Sequence, residues 1–287
     1  ADAEGNELSG SEGIRVPAGD FSAKIMVKVG QLDSKDFPAN KKYAIPLSIT
    51  GASKYSLIPS QRSAVLLLNR SILSSVAKVS GGEGIRIKPA GMHTKAEWTI
   101  QMSAIYSSLT RSNLTTAYLS NGTGGEFYTR ISSTAGIQVK NGRDGDDTWT
   151  QIPLQAGKWL HITYVHKDKK TTVYVNGKVQ KVFENSAITF GENSMIIVGN
   201  SGYRNDYLRE IRLWDKALTE SEINDYLYLP MDPETPHLIS YLPLSKETGI
   251  KDLKAPADME NVTTKARIEY VENVKFPADE LVIVNQE

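Results

Sequence analysis

Between Trp159 and Asn176, apolar and polar positions alternate twice in succession, in W-L-H-I-T-Y-V-H and again in T-T-V-Y-V-N. Two-residue spacing puts Leu160, Ile162 and Tyr164 on one face of a strand, and Val173 and Val175 on one face of the next. Asn176-Gly177 follows, and both residue types accept the positive φ that a type I′ turn demands. Val179 to Phe183 is therefore expected to return antiparallel, which makes this stretch the centre of a β-sheet protein.

The same texture extends through most of the chain. From Gly84 onward, short runs are predicted as strands at Ile85–Lys88, Trp98–Tyr106, Thr116–Ser120, Glu126–Ser132, Ile137–Lys140 and Thr148–Pro153. Further runs lie at Met195–Gly199, Tyr207–Trp214, Leu238–Leu244, Ala266–Val271 and Leu281–Val284. Many short strands divided by turn residues point to a sandwich or jelly roll. One helix is predicted, where Thr219-Glu220-Ser221-Glu222 forms a capping box and Ile223, Tyr226 and Leu227 supply an apolar stripe.

Upstream, Phe21–Val29, Tyr43–Thr50 and Ser63–Leu68 read as three more strands, the first with Phe21, Ala23, Ile25, Val27 and Val29 on one face. Asn69 to Glu83, ending in Ser80-Gly81-Gly82, reads as a linker. The expected fold class is all-β: a small N-terminal β-sandwich over residues 1–80, then a jelly-roll sandwich over 84–287.

Composition narrows the function. Lys plus Arg equals Asp plus Glu at 33 each, so no global field draws nucleic acid. The chain has no cysteine, which excludes disulfides, thiolate metal sites and cysteine nucleophiles. No apolar run reaches the roughly 18 residues of a membrane span. The sequence begins at Ala1 without an initiator Met, so it is read as processed, with any signal or lipid anchor upstream.

Three pieces, in order and well spaced, carry a family resemblance. They are Trp159 to Tyr164 with Val173 to Lys178, Ile197-Val198-Gly199-Asn200, and Leu208 to Thr219 with its strand-then-A-L-T entry into the helix. Together they resemble the bacterial form of the laminin-G-like, concanavalin A-like sandwich family, across about Gly84 to Val274. Leu238 to Leu244 is similar to that family's closing strand, with Tyr241-Leu242 where a Tyr-Trp pair is usual. Tyr43 to Ile49 and Ser63 to Leu68 resemble an uncharacterised N-terminal domain of surface lipoproteins of gut Bacteroidetes. The resemblance implies a glycan-handling protein on the extracellular face of the outer membrane, or else secreted or periplasmic, with room for a lipid anchor upstream and with glycan or a surface protein as partner.

Catalytic signatures are missing. Glucanases of the resembled scaffold place paired acids on alternate positions of one strand, and no such run occurs here. G-x-S-x-G, H-E-x-x-H and a phosphate-binding loop are also absent. The expectation is a binding protein and not an enzyme. The alternatives are an accessory region of a glycoside hydrolase, a divergent hydrolase, or an adhesion module for proteins.

Binding candidates come from loops. Pyranose faces stack on aromatic rings while polar side chains take the hydroxyls. Tyr203-Arg204-Asn205-Asp206-Tyr207 has that mix in an expected loop, and Trp149 is a second candidate; Trp98, Trp159 and Trp214 read as packing. Asp144, Asp146 and Asp147 form a candidate calcium loop, though without the spacing and distal Glu of a strong calcium motif; otherwise they are a solvated turn. No other cofactor is expected. His161 reads as a packed strand residue and His166 as a turn residue, with no pair at zinc-ligand spacing.

Overall fold

The computed structural model describes residues 13–30, 37, 43–68, 71–89, 96–118, 127–140, 146–184, 188, 194–199 and 203–285. Its strands run in chain order: β1 (Tyr43–Ser48), β2 (Ser63–Leu68), β3 (Ile72–Gly81), β4 (Ile85–Ile87), β5 (Trp98–Ile105), β6 (Arg111–Tyr118), β7 (Phe127–Ser132) and β8 (Gly136–Lys140). Then come β9 (Trp159–Lys167), β10 (Lys170–Val175), β11 (Lys178–Glu184), β12 (Met195–Val198) and β13 (Tyr203–Trp214). Helix α1 (Glu220–Asp225) precedes β14 (Leu238–Leu242), β15 (Val262–Thr263) and β16 (Arg267–Phe276).

Two antiparallel sheets stack. One has eight strands in the order β11-β10-β9-β5-β13-β3-β16, with β14 also pairing with β13. The other has six, in the order β15-β4-β12-β6-β7-β8. The main core lies between them and draws Trp98, Ile100, Leu160, Ile162, Tyr164 and Val173 from the larger sheet, and Ile85, Phe127, Ile137 and Val139 from the smaller. Phe127 meets Trp98 and Tyr164 edge-on at 5.1 and 5.3 Å, the geometry that ring quadrupoles favour. Tyr164 also reaches across to the other sheet, its hydroxyl donating to Thr129 Oγ1 at 3.2 Å.

The central hairpin forms as its pattern requires. Asn176 and Gly177 adopt φ of 51° and 74°, and β11 returns along β10. Thr219 caps α1 with the reciprocal Glu222 bonds of a capping box, and Ile223 is buried beneath it.

Four expectations need correction. The stretch read as a linker contains β3, a ten-residue strand hydrogen-bonded to β13 on one side and β16 on the other. The expected boundary at residue 80 thus falls inside a strand. Phe21–Val29 is not a strand and pairs with none among the described residues, and Phe21 is fully exposed, since alternation without a partner edge leaves backbone groups to water. Thr148–Pro153 is not a strand: Asp146–Thr148 is a short 3-10 turn, and Trp149 makes a single bridge to Gln138. Leu281–Val284 likewise contributes one bridge, Val274 to Ile283. Of the N-terminal sandwich, the described residues show the two-stranded sheet β1–β2, with Tyr43, Ile45 and Leu47 on its half-buried side.

Candidate functional site

The outer face of the eight-stranded sheet is covered over its central strands. A second apolar cluster, Val165, Tyr174, Trp214, Leu218, Ile223, Met231, Leu238 and Tyr241, fills the space beneath α1 and the chain after it. Polar groups on this face are spent on structure. Arg209 Nη1 donates to the Tyr228 carbonyl at 2.8 Å and Arg212 Nη1 to the Tyr226 carbonyl at 3.0 Å, which ties the covering segment to the sheet. Glu210 accepts from both guanidiniums and from the Tyr241 hydroxyl. His161 Nδ1 lies 2.7 Å from Ser103 Oγ, and burial, with the positive charges of Arg209 and Arg212, lowers its pKa to about 3. It is therefore the packed, neutral residue its strand position suggests.

The six-stranded sheet offers a different surface. On β7, Phe127, Thr129 and Ile131 are buried, while Tyr128, Arg130 and Ser132 alternate with them and are half-buried on the outer side. On β8, Ile137 and Val139 enter the core, which puts Gln138 and Lys140 on the outer side, where both are nonetheless buried. Pairing sets Tyr128 opposite Lys140 and Arg130 opposite Gln138. The Arg130 guanidinium and the Lys140 ammonium stand 5.8 and 5.6 Å from the Tyr128 ring centroid.

Two polar atoms in this patch have no partner. Arg130 Nε, a donor, and Gln138 Oε1, an acceptor, are buried without a hydrogen bond among the described residues. Such groups carry a free-energy cost in the folded chain. Gln138 is fixed by its other end, Nε2 donating to Thr148 Oγ1 at 2.8 Å. Trp149 pairs with Gln138 at the sheet edge, and Lys181 Nζ clamps that edge by donating to the Asp147 and Trp149 carbonyls at 2.8 and 2.7 Å.

Register carries the face across the sheet. Lys140 pairs with Tyr128, Tyr128 with Thr116, Thr116 with Ile197, Ile197 with Arg86 and Arg86 with Thr263. At the far end, Glu83, Arg86, Thr263, Thr264 and Lys265 line a shallow depression. Glu83 accepts from Lys265 at 3.0 Å and Arg86 at 2.8 Å, and these bonds hold its carboxyl below the usual range. Gly82, at φ 63°, lets this turn approach closely: a Cβ there would stand 2.3 Å from the Lys265 carbonyl oxygen.

The sequence candidates fall at several places. Tyr203 to Tyr207 is not a loop but the first part of β13, paired with β3, because β3 supplies the missing edge. Within it Asn205 is exposed at φ 61°, Asp206 is buried and accepts from the Ser107 amide and hydroxyl at 2.9 and 3.1 Å, and Tyr207 packs beside Trp159 and Phe276. Trp149 is half-buried at the edge of the six-stranded sheet. Asp144 lies outside the described residues, Asp146 opens the 3-10 turn and Asp147 is exposed. Among the described residues no group of three or more His, Asp or Glu could hold a metal. His166 is not at a turn. It is buried on β9, stacked on Trp98 at 5.1 Å and accepting at Nε2 from the Ile188 amide, and burial lowers its pKa to about 4.

Tyr128, Arg130, Gln138, Lys140 and Arg86 escaped the sequence reading. Their signal was the polar phase of the alternation in F-Y-T-R-I-S and G-I-Q-V-K, which marks an outward face without saying what it meets.

A family model described as the concanavalin A-like lectin/glucanases superfamily matches residues 80–224. Among solved structures the chain is similar to a proposed carbohydrate-binding protein from Bacteroides ovatus, at 18% identity and TM-score 0.56, covering 86% of this chain and 72% of that one. It is also similar to the heptameric SAP-like pentraxin of Limulus polyphemus, at 13% identity and TM-score 0.47, covering 70% and 94%. Domain 4 of the arabinanase AbnA from Geobacillus stearothermophilus, solved with arabinotriose, matches at 15% identity and TM-score 0.42, covering 63% and 86%. At these identities the likeness is one of fold. No protein with a curated description matches. With half of its length matched by the family model, and the two stacked antiparallel sheets to go with it, the chain belongs to the concanavalin A-like lectin/glucanases superfamily.

Proposed function

We propose that the chain binds carbohydrate, without cleaving it, on the outer face of its six-stranded sheet, and that it is displayed outside the cell. The observation that carries this reading is Tyr128, a half-buried ring on the outer side of the sheet with the cations of Arg130 and Lys140 at 5.8 and 5.6 Å from its centroid. A sugar ring stacks on an aromatic face while polar side chains at its edge take the hydroxyls. Trp149, next to Gln138 at the sheet edge, extends the platform. The fold likeness to a proposed carbohydrate-binding protein of Bacteroides ovatus supports the same class of ligand.

The non-catalytic part of the proposal rests on residue types. Glycoside hydrolysis uses a pair of carboxyl groups flanking the scissile bond. None of the residues in β4, β6, β7, β8, β12 or β15 is Asp or Glu. Binding would then be an equilibrium event on a rigid sheet.

A glycan array tests the reading, with Tyr128→Ala and Trp149→Ala beside the parent chain. Selective binding by the parent that Tyr128→Ala loses, at unchanged melting temperature, is the expected result. Selective binding that survives Tyr128→Ala moves the site elsewhere, and a blank array removes carbohydrate as the ligand.

A further inference from the structure

We infer that this face takes a linear sugar chain of at least about three units, laid diagonally across the strands with one sugar ring on Tyr128 and another on Trp149, and not a single terminal sugar. This rests on the carbohydrate reading above and adds the length of the ligand and its direction.

Both rings belong to the same side of the sheet. Directly paired residues of antiparallel strands point to one face. Trp149 bridges Gln138, and Gln138 pairs with Arg130. Arg130 and Tyr128 stand two residues apart on β7 and share that face. Tyr128 and Trp149 are each half-buried, so both keep part of their surface in water. Gln138, between them, is buried and fixed by Nε2 donating to Thr148 Oγ1 at 2.8 Å, so it belongs to the floor of the platform. The Arg130 and Lys140 cations, 5.8 and 5.6 Å from the Tyr128 centroid, are not seated against the ring, since stacked atoms approach to about 3.5–4.0 Å.

The separation of the rings sets the length. From Trp149 through Gln138 to Arg130 are two interstrand steps of about 4.8 Å, and from Arg130 to Tyr128 two residues of about 3.4 Å rise along β7. The diagonal between the two Cα positions is thus roughly 12 Å. One pyranose ring cannot cover two faces that far apart, and neither can adjacent units of a chain. Units with one other between them can. The second ring is also held in place before a ligand arrives. The Thr150 amide donates to the Ile137 carbonyl at 2.9 Å, and Lys181 Nζ donates to the Asp147 and Trp149 carbonyls at 2.8 and 2.7 Å. A preformed second contact adds affinity with little fresh ordering cost, so the site rewards a chain long enough to reach both rings.

Calorimetry on the chain as it stands, with cello-, xylo-, manno- and malto-oligosaccharides graded from the monosaccharide to the hexasaccharide, tests this. In a series that binds, affinity should rise about tenfold or more between the disaccharide and the tetrasaccharide and then level off. Trp149→Ala should bring the longer members down to the affinity of the disaccharide at unchanged melting temperature, while Trp149→Phe keeps the step. On the parent chain the Trp149 indole N–H resonance should shift with the tetrasaccharide and stay in place with the monosaccharide, a readout that needs no variant to fold. Affinity that does not change with length overturns the two-ring track and leaves the carbohydrate reading standing. So does a bound tetrasaccharide that leaves the Trp149 resonance unmoved. Absence of binding in every series at every length overturns both.

Discussion

Glu210 and Arg212 stand two residues apart on β13, yet a Glu210 carboxylate oxygen lies 2.6 Å from an Arg212 guanidinium nitrogen in the interior. A register shift between Arg209 and Arg212, with Glu210 at φ 55°, folds the strand locally so that the acid sits between both arginines. The bulge gathers three charges that a regular strand would spread over two faces. Through Tyr226, Tyr228 and Leu229 those arginines hold the segment that closes the larger sheet.

Glu210→Gln leaves two buried guanidiniums with no negative charge between them. We expect a loss of about 3–5 kcal/mol in denaturant unfolding, the usual cost of breaking a buried ion pair from one side. A loss below about 1 kcal/mol would mean that the backbone carbonyls alone hold the arginines.

Acid should weaken the fold through histidine. Burial lowers the His166 pKa to about 4, against about 6.5 in an unfolded chain. Between those values the unfolded chain binds a proton that the folded chain refuses, so stability rises with pH there. The contribution of neutral His166 is complete above about pH 6.5 and lost as pH falls toward 4. The expected outcome is a urea midpoint that drops from pH 7 to 4.5 more steeply in the parent chain than in His166→Gln. Parallel curves would acquit His166.

Gly82 and Gly157 share a positive φ, 63° and 75°, but only Gly82 meets neighbouring backbone within 4 Å. Gly82→Ala should therefore cost more than Gly157→Ala, with roughly 1–3 kcal/mol from conformation in each and a steric penalty added at Gly82. Equal melting temperatures for the two variants would show that the β3–β4 turn yields to the extra methyl.

Thr219→Ala removes the cap of α1 and should cost about 1 kcal/mol, with Thr219→Ser near neutral. The Lys216 hydrogen bond, and then the Thr219 amide, hold the Glu222 carboxyl down to about 2, so the capping box stays charged through mild acid. A Thr219→Ala variant as stable as the parent at pH 7 would place the helix's stability in Ile223 packing alone.

Much of the fold was written locally. Ser63–Leu68 forms a strand at the bounds its alternation marks, the return over Val179–Phe183 lies within β11, and the Asn176-Gly177 turn and Thr219 cap form from adjacent residues. These features depend on short-range sterics and hydrogen bonds, which neighbouring residue types decide. β3 was hidden because I-L-S-S-V-A-K-V-S-G mixes serine and lysine into an imperfect alternation. Its edges are satisfied by β13 and β16, more than a hundred residues away in the chain. The polar run Tyr203 to Tyr207 read as a loop for the same reason, since only β3 makes it a strand.

The candidate site divides along that line. Sequence alone determined that Tyr128, Arg130, Gln138 and Lys140 occupy the polar phase of two strands. Only the tertiary structure decided that those strands are neighbours, that Arg86 joins the row from far upstream, and that the other sheet's outer face is covered over its central strands. Side-chain alternation is a property of one strand; the partners across it are set by pairing register, which long-range burial selects.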